Sequence, residues 1–352
     1  MTRRKPTLDE IALEADVSAA TVSRVFNRPE MVSESKRALV LEASKRLGNG
    51  IPALQTLGLI VPDASNPFFS QLIYLFEREL ARHGAQVVSA SAEGKSEREV
   101  ETIERFRAMG VEGIFYTPSR SGGEAILELV SRGDVPVLAF DRQIVTGNLD
   151  CVTTASRTAT QTMVDYLVNL EHSRFGYILG AEQTTTAADR FEAFVHALAR
   201  NGLEVPAALT FSGNYRLPSG RDAAESFLVL PADERPTVVV AANDLMAIGF
   251  IQRVQEEGLV VPRDVSVVGF DGIEFGAWYS PSLTTIVQPV RRLVREATNL
   301  LLDRIDRTSR GDEVPRPRTV SVDPRFVVRN SVGVPPGSGA SRGLYVLNGH
   351  SE

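Results

Sequence analysis

Within ten residues, from Ser18 to Asn27, the chain gathers Ser18, Thr21, Ser23 and Asn27 around Ala19, Ala20 and Arg24. Hydroxyls and a carboxamide of this size bond phosphate oxygens, and a guanidinium can fork onto paired acceptors such as guanine O6 and N7. A second chemical set is scattered along the chain. Asp141 follows the apolar run VLAF, Arg190 stands in DRFEAF, Asn243-Asp244 follow VVVAA, and Asp271 ends VSVVGF. One guanidinium, one amide and several carboxylates suit the vicinal hydroxyls of a sugar or polyol, because carboxylates accept and arginine donates in fixed geometry. Phe69, Tyr215 and Trp278 can add apolar faces for a pyranose ring. Phe69 and Trp278 have an equal claim as core or dimer-interface aromatics, since large rings bury readily. An internal Arg190–Asp271 pair that holds two lobes together is the structural alternative for those two residues.

Other chemistries find no support. His83, His172, His196 and His350 lack the spacing of a zinc set, and no Gly-x-Ser-x-Gly elbow occurs. The segment SASAEGKS at residues 89–96 approaches a phosphate-binding loop but lacks its first glycine. Cys151 is the single cysteine, with no histidine near it in sequence, so it reads as a small buried side chain. No metal, cofactor or catalytic residue is expected, and the chain is not read as an enzyme.

The elements that position the first set follow from local rules. Thr7-Leu8-Asp9-Glu10 has the form of a capping box, so a helix begins there, with Leu8, Ile11, Ala12 and Ala15 as its inner stripe. Asp16-Val17 breaks it, and Ser18 caps a second helix from Ala19 to about Phe26. Val22, Val25 and Phe26 face inward, leaving a slim polar face that fits the major groove. A third helix, from Ser33 to Leu47, brings Leu39, Val40, Ala43 and Leu47 to close a small core. This is a helix-turn-helix, with double-stranded DNA as the first partner to consider. Residues 1–50 hold nine Lys/Arg against seven Asp/Glu; with a total of −6, that leaves −8 for the remainder, which DNA should repel.

The chain has 352 residues, 43% of them hydrophobic, enough for a small head and a large core. No apolar run approaches the length that spans a bilayer, and Met1 to Pro6 lead into a capped helix without a signal stretch, so a cytoplasmic location is expected. After a connector, LGLIVP at residues 57–62 reads as a buried parallel strand. Strands at 85–89, 113–116, 135–140, 175–179, 237–241 and 265–270 then alternate with helices at 68–81, 97–109, 188–200 and 243–257. Two successive series of this kind imply two doubly wound parallel-sheet lobes, which place ligands at the carboxyl ends of their strands.

Taken in order, TLDEIALEADVSAATVSRVFN, VSESKRALVLEASKRLG, LGLIVPDASNPFFSQL, DRFEAF, VVVAANDLMAIG, VPRDVSVVGFDGIEF and PSLTTIVQP resemble the lactose/galactose-repressor family of bacterial transcription regulators, from about Thr7 to Asn330. The resemblance implies a helix-turn-helix head and a periplasmic-binding-protein-like core. It further implies a homodimer presenting two heads to a pseudo-palindromic operator, most simply as a repressor. It assigns base reading to Ala19, Ala20 and Arg24, with a phosphate contact as the plainer role for Arg24. Ser18, Thr21, Ser23 and Asn27 then set register on phosphates, with a cap and nothing more as the alternative role for Ser18. The implied domains are a DNA-binding head at 1–48, a linker at 49–56 and a ligand-binding and dimerisation core at 57–330. Within the core, an N-lobe covers about 57–157 and 287–323, and a C-lobe about 158–286 and 324–330. A small-molecule effector is expected in the cleft, held by Phe69, Asp141, Arg190, Tyr215, Asn243, Asp271 and Trp278.

The departures from the family are informative. The linker is about half the usual length, and eight residues span at most about 28 Å, so a hinge helix with flexible flanks scarcely fits. Leu54 is the candidate minor-groove wedge. Ala155-Ser156 stand where an Asp-Asn pair is usual, which points to a less hydroxylated ligand, a nucleoside or another small metabolite. Residues 331–352 lack heptads and read as a disordered tail, so a dimer is expected rather than a tetramer. A solute-binding protein and a sugar-processing enzyme are the rival readings.

Overall fold

Thr7 opens the first helix, α1 (Leu8–Glu14), with a complete capping box: its hydroxyl accepts from the Glu10 amide at 3.3 Å, and the Glu10 carboxylate accepts from the Thr7 amide at 2.7 Å. The computed structural model describes residues 7–27, 32–47, 55–120, 135–144 and 149–337. In it, α1 ends on a Schellman turn. Asp16 takes φ 53°, and the Val17 amide returns to the Ala12 carbonyl at 3.0 Å. Aspartate tolerates this left-handed backbone better than most side chains. The chain then meets Ser18, whose hydroxyl accepts from the Thr21 amide at 3.2 Å and starts α2 (Ala19–Asn27).

With α3 (Glu34–Arg46), these helices enclose Ile11, Ala12, Ala15, Val22, Val25, Val40 and Ala43. Leu8, Leu39 and Leu47, expected in the same core, are exposed instead. Leu8 lies in the first turn of α1, ahead of the packed stripe, and Leu47 follows the last residue of α3. Leu39 stands a helical step of about 100° from the inward Val40.

The chain divides into two compact units. The first takes in Met1–Val152 and Val290–Val320, the second Thr153–Pro289 and Ser321–Glu352, so the chain crosses between them three times. The first unit's sheet draws on β1 (Gln55–Val61), β2 (Ala85–Ser91), β3 (Gly113–Tyr116), β4 (Val137–Phe140), β5 (Asp150–Thr154) and β11 (Thr319–Val322), in the order β11-β5-β4-β3-β1-β2. β1 to β5 pair in parallel. Around them lie α4 (Pro67–Arg82), α5 (Ser96–Ala108) and α11 (Val290–Arg310). Asn66 caps α4 by accepting from the Phe68 amide at 3.0 Å, and Pro67 supplies its first residue.

The second sheet runs β12-β10-β9-β8-β6-β7, from β6 (Phe175–Ile178), β7 (Thr210–Phe211), β8 (Val238–Ala241), β9 (Ser266–Asp271), β10 (Thr284–Val287) and β12 (Arg325–Val327). Only the β10–β12 pair is antiparallel among its described pairings. Its helices are α6 (Ser156–Asn169), α7 (Thr185–Arg200), α8 (Leu217–Leu228), α9 (Asp244–Glu256) and the short α10 (Glu274–Trp278). Every residue of β3, β4, β6, β8 and β9 is buried, as parallel strands covered on both faces require. α8 and α9 lie backbone to backbone: a Cβ on Gly220 would overlap the Met246 carbonyl, and one on Gly249 the Leu217 carbonyl.

The expected tail begins too early in the sequence reading. Ser331 is fully buried, its hydroxyl donates to the Val267 carbonyl at 2.6 Å, and the Gly333 carbonyl is held by His172 Nε2 at 2.9 Å. These bonds tie residues 331–333 to β9 and to His172, so they belong to the fold. Residues 338–352 lie outside the described ones. Among the described residues, no helix is long and apolar enough to cross a membrane.

Candidate functional site

On α2, Ala20 and Arg24 stand one turn apart and are exposed, while Ala19, Thr21 and Ser23 are half-buried on its flanks. The Ser18 hydroxyl holds the Thr21 amide and lies 2.9 Å from the Thr21 hydroxyl, so these two side chains are first of all parts of the helix start. The Asn27 side chain and Leu54 lie outside the described residues.

In the second unit the carboxyl ends of the strands converge on a charged pair. Asp271 closes β9 with φ 119°, and its Oδ1 lies 3.3 Å from Nη1 of Arg190. Arg190 sits on α7, which Thr184 caps by accepting from the Ala187 amide at 3.3 Å. Its guanidinium centre is 3.8 Å from the Phe270 ring centroid, and Nη1 also donates to the Ala242 carbonyl at 2.6 Å. Both partners are over nine-tenths buried. The pair lies entirely within one unit, so it does not serve as the lobe-to-lobe tie considered above.

Tyr215 joins this group. Its φ is 68°, its hydroxyl shares a 3.1 Å hydrogen bond with Thr186, and its ring covers Gly180, where a Cβ would overlap it. Asn243 is placed as a support: its Oδ1 accepts from the Met246 amide at 3.0 Å and caps α9, while its Nδ2 donates to the Tyr215 carbonyl at 2.9 Å. Both amide atoms of this fully buried side chain are thus engaged by the protein. Trp278 does not join the group. It is 73% exposed on α10, where it shares the surface with Phe275; five residues of helix after the β9 turn carry it out of the sheet.

Sequence reasoning missed Gln288. Its Nε2 donates to Asp271 Oδ1 at 2.8 Å, and its Oε1 accepts from the Thr154 hydroxyl at 2.6 Å. The only signal was its place after a buried strand in PSLTTIVQP. Asp244, adjacent to Asn243, is fully buried and accepts from the Gly272 and Ile273 amides. Burial, and then the charge of Asp271, push its carboxyl up to about 7.

The first unit carries Phe69 and Asp141. Phe69 meets Phe68 edge-on at 5.2 Å, and the Arg142 guanidinium lies 5.9 Å from its ring. Asp141 directly follows β4 with φ 63°, its Oδ2 3.9 Å from Arg142 Nε. Arg142, adjacent to a candidate and overlooked, donates to the Pro118 carbonyl at 3.0 Å. Beyond β3, the Glu99 carboxylate accepts from the Ser119 amide at 2.7 Å and the Tyr116 hydroxyl at 2.8 Å. Burial, and then Glu99, raise the Tyr116 phenol far above its ordinary range. Residues 89–96 run from the end of β2 into the start of α5, where Glu97 and buried Glu99 make the first turn acidic and unsuited to phosphate. Among the described residues, no three His, Cys, Asp or Glu side chains are grouped to hold a metal.

A slim recognition helix in a helix-turn-helix, and a core of two doubly wound units with charged side chains at the strand ends, define a DNA-binding regulator with a ligand-binding core. Residues 7–48 match the model of the bacterial regulatory proteins of the lacI family, and residues 164–332 a periplasmic binding protein-like domain. The chain is 32% identical over 308 residues to the HTH-type transcriptional repressor CytR of Escherichia coli (strain K12), covering 85% of this chain and 89% of that one. It is 30% identical over 335 residues to the HTH-type transcriptional repressor PurR of Vibrio cholerae serotype O1 (strain M66-2), covering 93% and 98%. Among solved structures, a transcriptional regulator CelR–cellobiose complex superposes with TM-score 0.70 at 26% identity, covering 93% of this chain and 99% of that one. A LacI family transcriptional regulator from Enterococcus faecium with bound ribose gives 0.68 at 26%, covering 79% and 99%. The chain belongs to the lacI family of bacterial transcription regulators.

Proposed function

We propose that the protein is a cytoplasmic repressor that binds a pseudo-palindromic operator as a homodimer and releases or tightens its grip when a small molecule occupies the core. The observation that carries the effector site is backbone conformation. Asp141, Tyr215 and Asp271 are non-glycine residues with positive φ, at or just beyond the end of a core strand or in a loop, and each beside a buried arginine. Backbone of this kind persists only where surrounding structure over-determines it, and it clusters at binding sites.

The effector is a sugar or a related metabolite such as a nucleoside. Asp271 and Gln288 offer acceptors and a donor to hydroxyls or ring nitrogens, Arg190 a fixed cation, and Tyr215 an apolar face. The relatives support this range, since one structure holds cellobiose and another ribose. Binding without turnover fits this set, which places no nucleophile beside a general base. Ala20 and Arg24 are the base readers. Residues 1–48 form the DNA-binding head and 49–56 the linker.

Selection of DNA from a random pool by the full-length protein, followed by gel-shift assays at moderate salt with and without D-ribose, cellobiose and adenosine, tests the proposal. A retained palindromic sequence whose shift responds to one of these compounds supports it. Failure to retain any sequence sinks the DNA-binding reading, and turnover of a compound favours a sugar-processing enzyme.

A further inference from the structure

The β9–α10 turn, which presents Asp271, is gripped from below by a carboxylate. Asp244 begins α9, yet its side chain does not cap that helix. Its Oδ2 accepts from the amides of Gly272 and Ile273, both at 2.8 Å, and its Oδ1 accepts from the Thr285 hydroxyl on β10 at 2.6 Å. The approach is close enough that a Cβ on Gly269 would overlap Oδ1, so β9 carries a glycine there. The gripped turn has two successive residues of positive φ, Asp271 at 119° and Gly272 at 76°. An aspartate at φ 119° is costly, and surrounding bonds must hold it. On the other side, the Gln288 amide donates to the Asp271 carbonyl at 3.1 Å.

We propose that Asp244 is a positioning residue for effector binding: without touching the ligand, it holds the Gly272 and Ile273 amides and thereby fixes the turn that aims the Asp271 carboxylate at Arg190. This rests on the proposed role of Asp271 as a ligand-binding carboxylate. A carboxylate is an unfavourable choice for mere filling, because it is fully buried beside a second carboxylate. What it supplies is acceptor capacity for three donors at once, which no apolar residue matches. The first unit repeats the device: buried Glu99 on α5 grips the Ser119 amide beyond β3. In both units a helix-borne carboxylate holds backbone N–H at the carboxyl end of the sheet, two amides for Asp244 and one for Glu99.

The test uses full-length Asp244→Asn and Asp244→Ala proteins, with hydrogen exchange at Gly272 and Ile273, carbon-13 titration of the Asp271 carboxyl, and thermal melting. None of these readouts needs an effector, so the outcome is independent of whether the functional proposal stands. In Asp244→Asn the amide oxygen keeps both backbone donors, while Thr285 turns to accept from the new Nδ2; exchange stays within about threefold of the parent. In Asp244→Ala the two amides exchange at least about 30-fold faster, and Asp271, released from Arg190, titrates higher. A lower melting temperature in Asp244→Ala with unchanged exchange and unchanged Asp271 titration would show a structural role alone and overturn the proposal. If Asp244→Ala fails to fold, Asp244→Asn decides: exchange more than about tenfold faster than the parent overturns it.

Discussion

Arg190 and Asp271 face each other at 3.3 Å inside a single unit, with the guanidinium stacked 3.8 Å from the Phe270 ring. The arginine is therefore positioned three ways, by an aromatic face, a backbone carbonyl and a carboxylate, before any ligand arrives. Removing one partner of a buried pair costs about 3–5 kcal/mol, because the other is left charged and desolvated. Arg190→Met should lower stability by about that amount and abolish effector binding. Arg190→Lys should not restore binding, since an ammonium lacks the planar fork that stacks and donates together. Adding Asp271→Asn to Arg190→Met should recover part of the stability without recovering binding. Urea denaturation with calorimetric titration checks this, and a double variant no more stable than the single one would refute the pair's role.

Gln288 links the site to the chain crossings. It lies just before the Pro289–Val290 crossing and bonds both Asp271 and Thr154, which follows the Val152–Thr153 crossing. Gln288→Leu should leave a weakened effector site but reduce the coupling between effector and operator. Allosteric coupling is commonly worth about 1–3 kcal/mol, or about 5–150-fold in affinity, and the variant's effector-induced change in operator affinity should fall toward unity. Operator titrations with and without effector measure it. Coupling equal to that of the parent would remove Gln288 from the relay.

Arg24 is exposed on α2 beside Ala20. Arg24→Ala should weaken binding to the selected operator by about 1–3 kcal/mol and relax preference at one base position, if the guanidinium reads guanine. If Arg24 touches only phosphate, the loss is uniform across sequences and Arg24→Lys largely reverses it. Thr7→Ala serves as a contrast. It removes the capping box of α1 and should cost about 1 kcal/mol of head stability without changing sequence preference. A competition assay over base-substituted operators separates the two.

Two buried groups give stability opposite pH slopes. Asp244 titrates at about 7 in the fold against an ordinary 3.8, so between those values the folded state holds a proton that the unfolded chain has released. Its contribution is complete below the ordinary value and is lost as pH rises toward about 7. His172 is shifted the other way, chiefly by burial, with its rings bonded to Thr237 and Gly333. Its contribution is present above its ordinary 6.5 and is lost as pH falls through the lowered value. Asp244→Asn should flatten the decline in stability from pH 5 to 8, and His172→Gln should reduce the acid-side decline. Urea midpoints measured across that range decide the matter: an unaltered slope in Asp244→Asn would contradict its raised ionisation.

The helix-turn-helix was legible because its determinants are local. Thr7 with Glu10, the left-handed Asp16, and Ser18 with Thr21 interact within a few residues, so their order in the chain nearly dictates their bonds. The buried strands were legible as well, since parallel strands covered on both faces need continuous apolar runs. Strand ends also pointed to Asp141 and Asp271, and the helical DRFEAF segment to Arg190, as chemistry-bearing positions. Their partners could not be read, because the packing of α7 and the order of strands in the second sheet, not chain order, bring Arg190 and Gln288 to Phe270 and Asp271 at the end of β9. The same cause explains Asn243, whose amide is taken up by α9 and the Tyr215 carbonyl, and His172, which meets Gly333 only after the chain has crossed and returned. Trp278 and Leu39 show the converse: apolar side chains whose burial depends on what the fold brings against them, which periodicity alone does not specify.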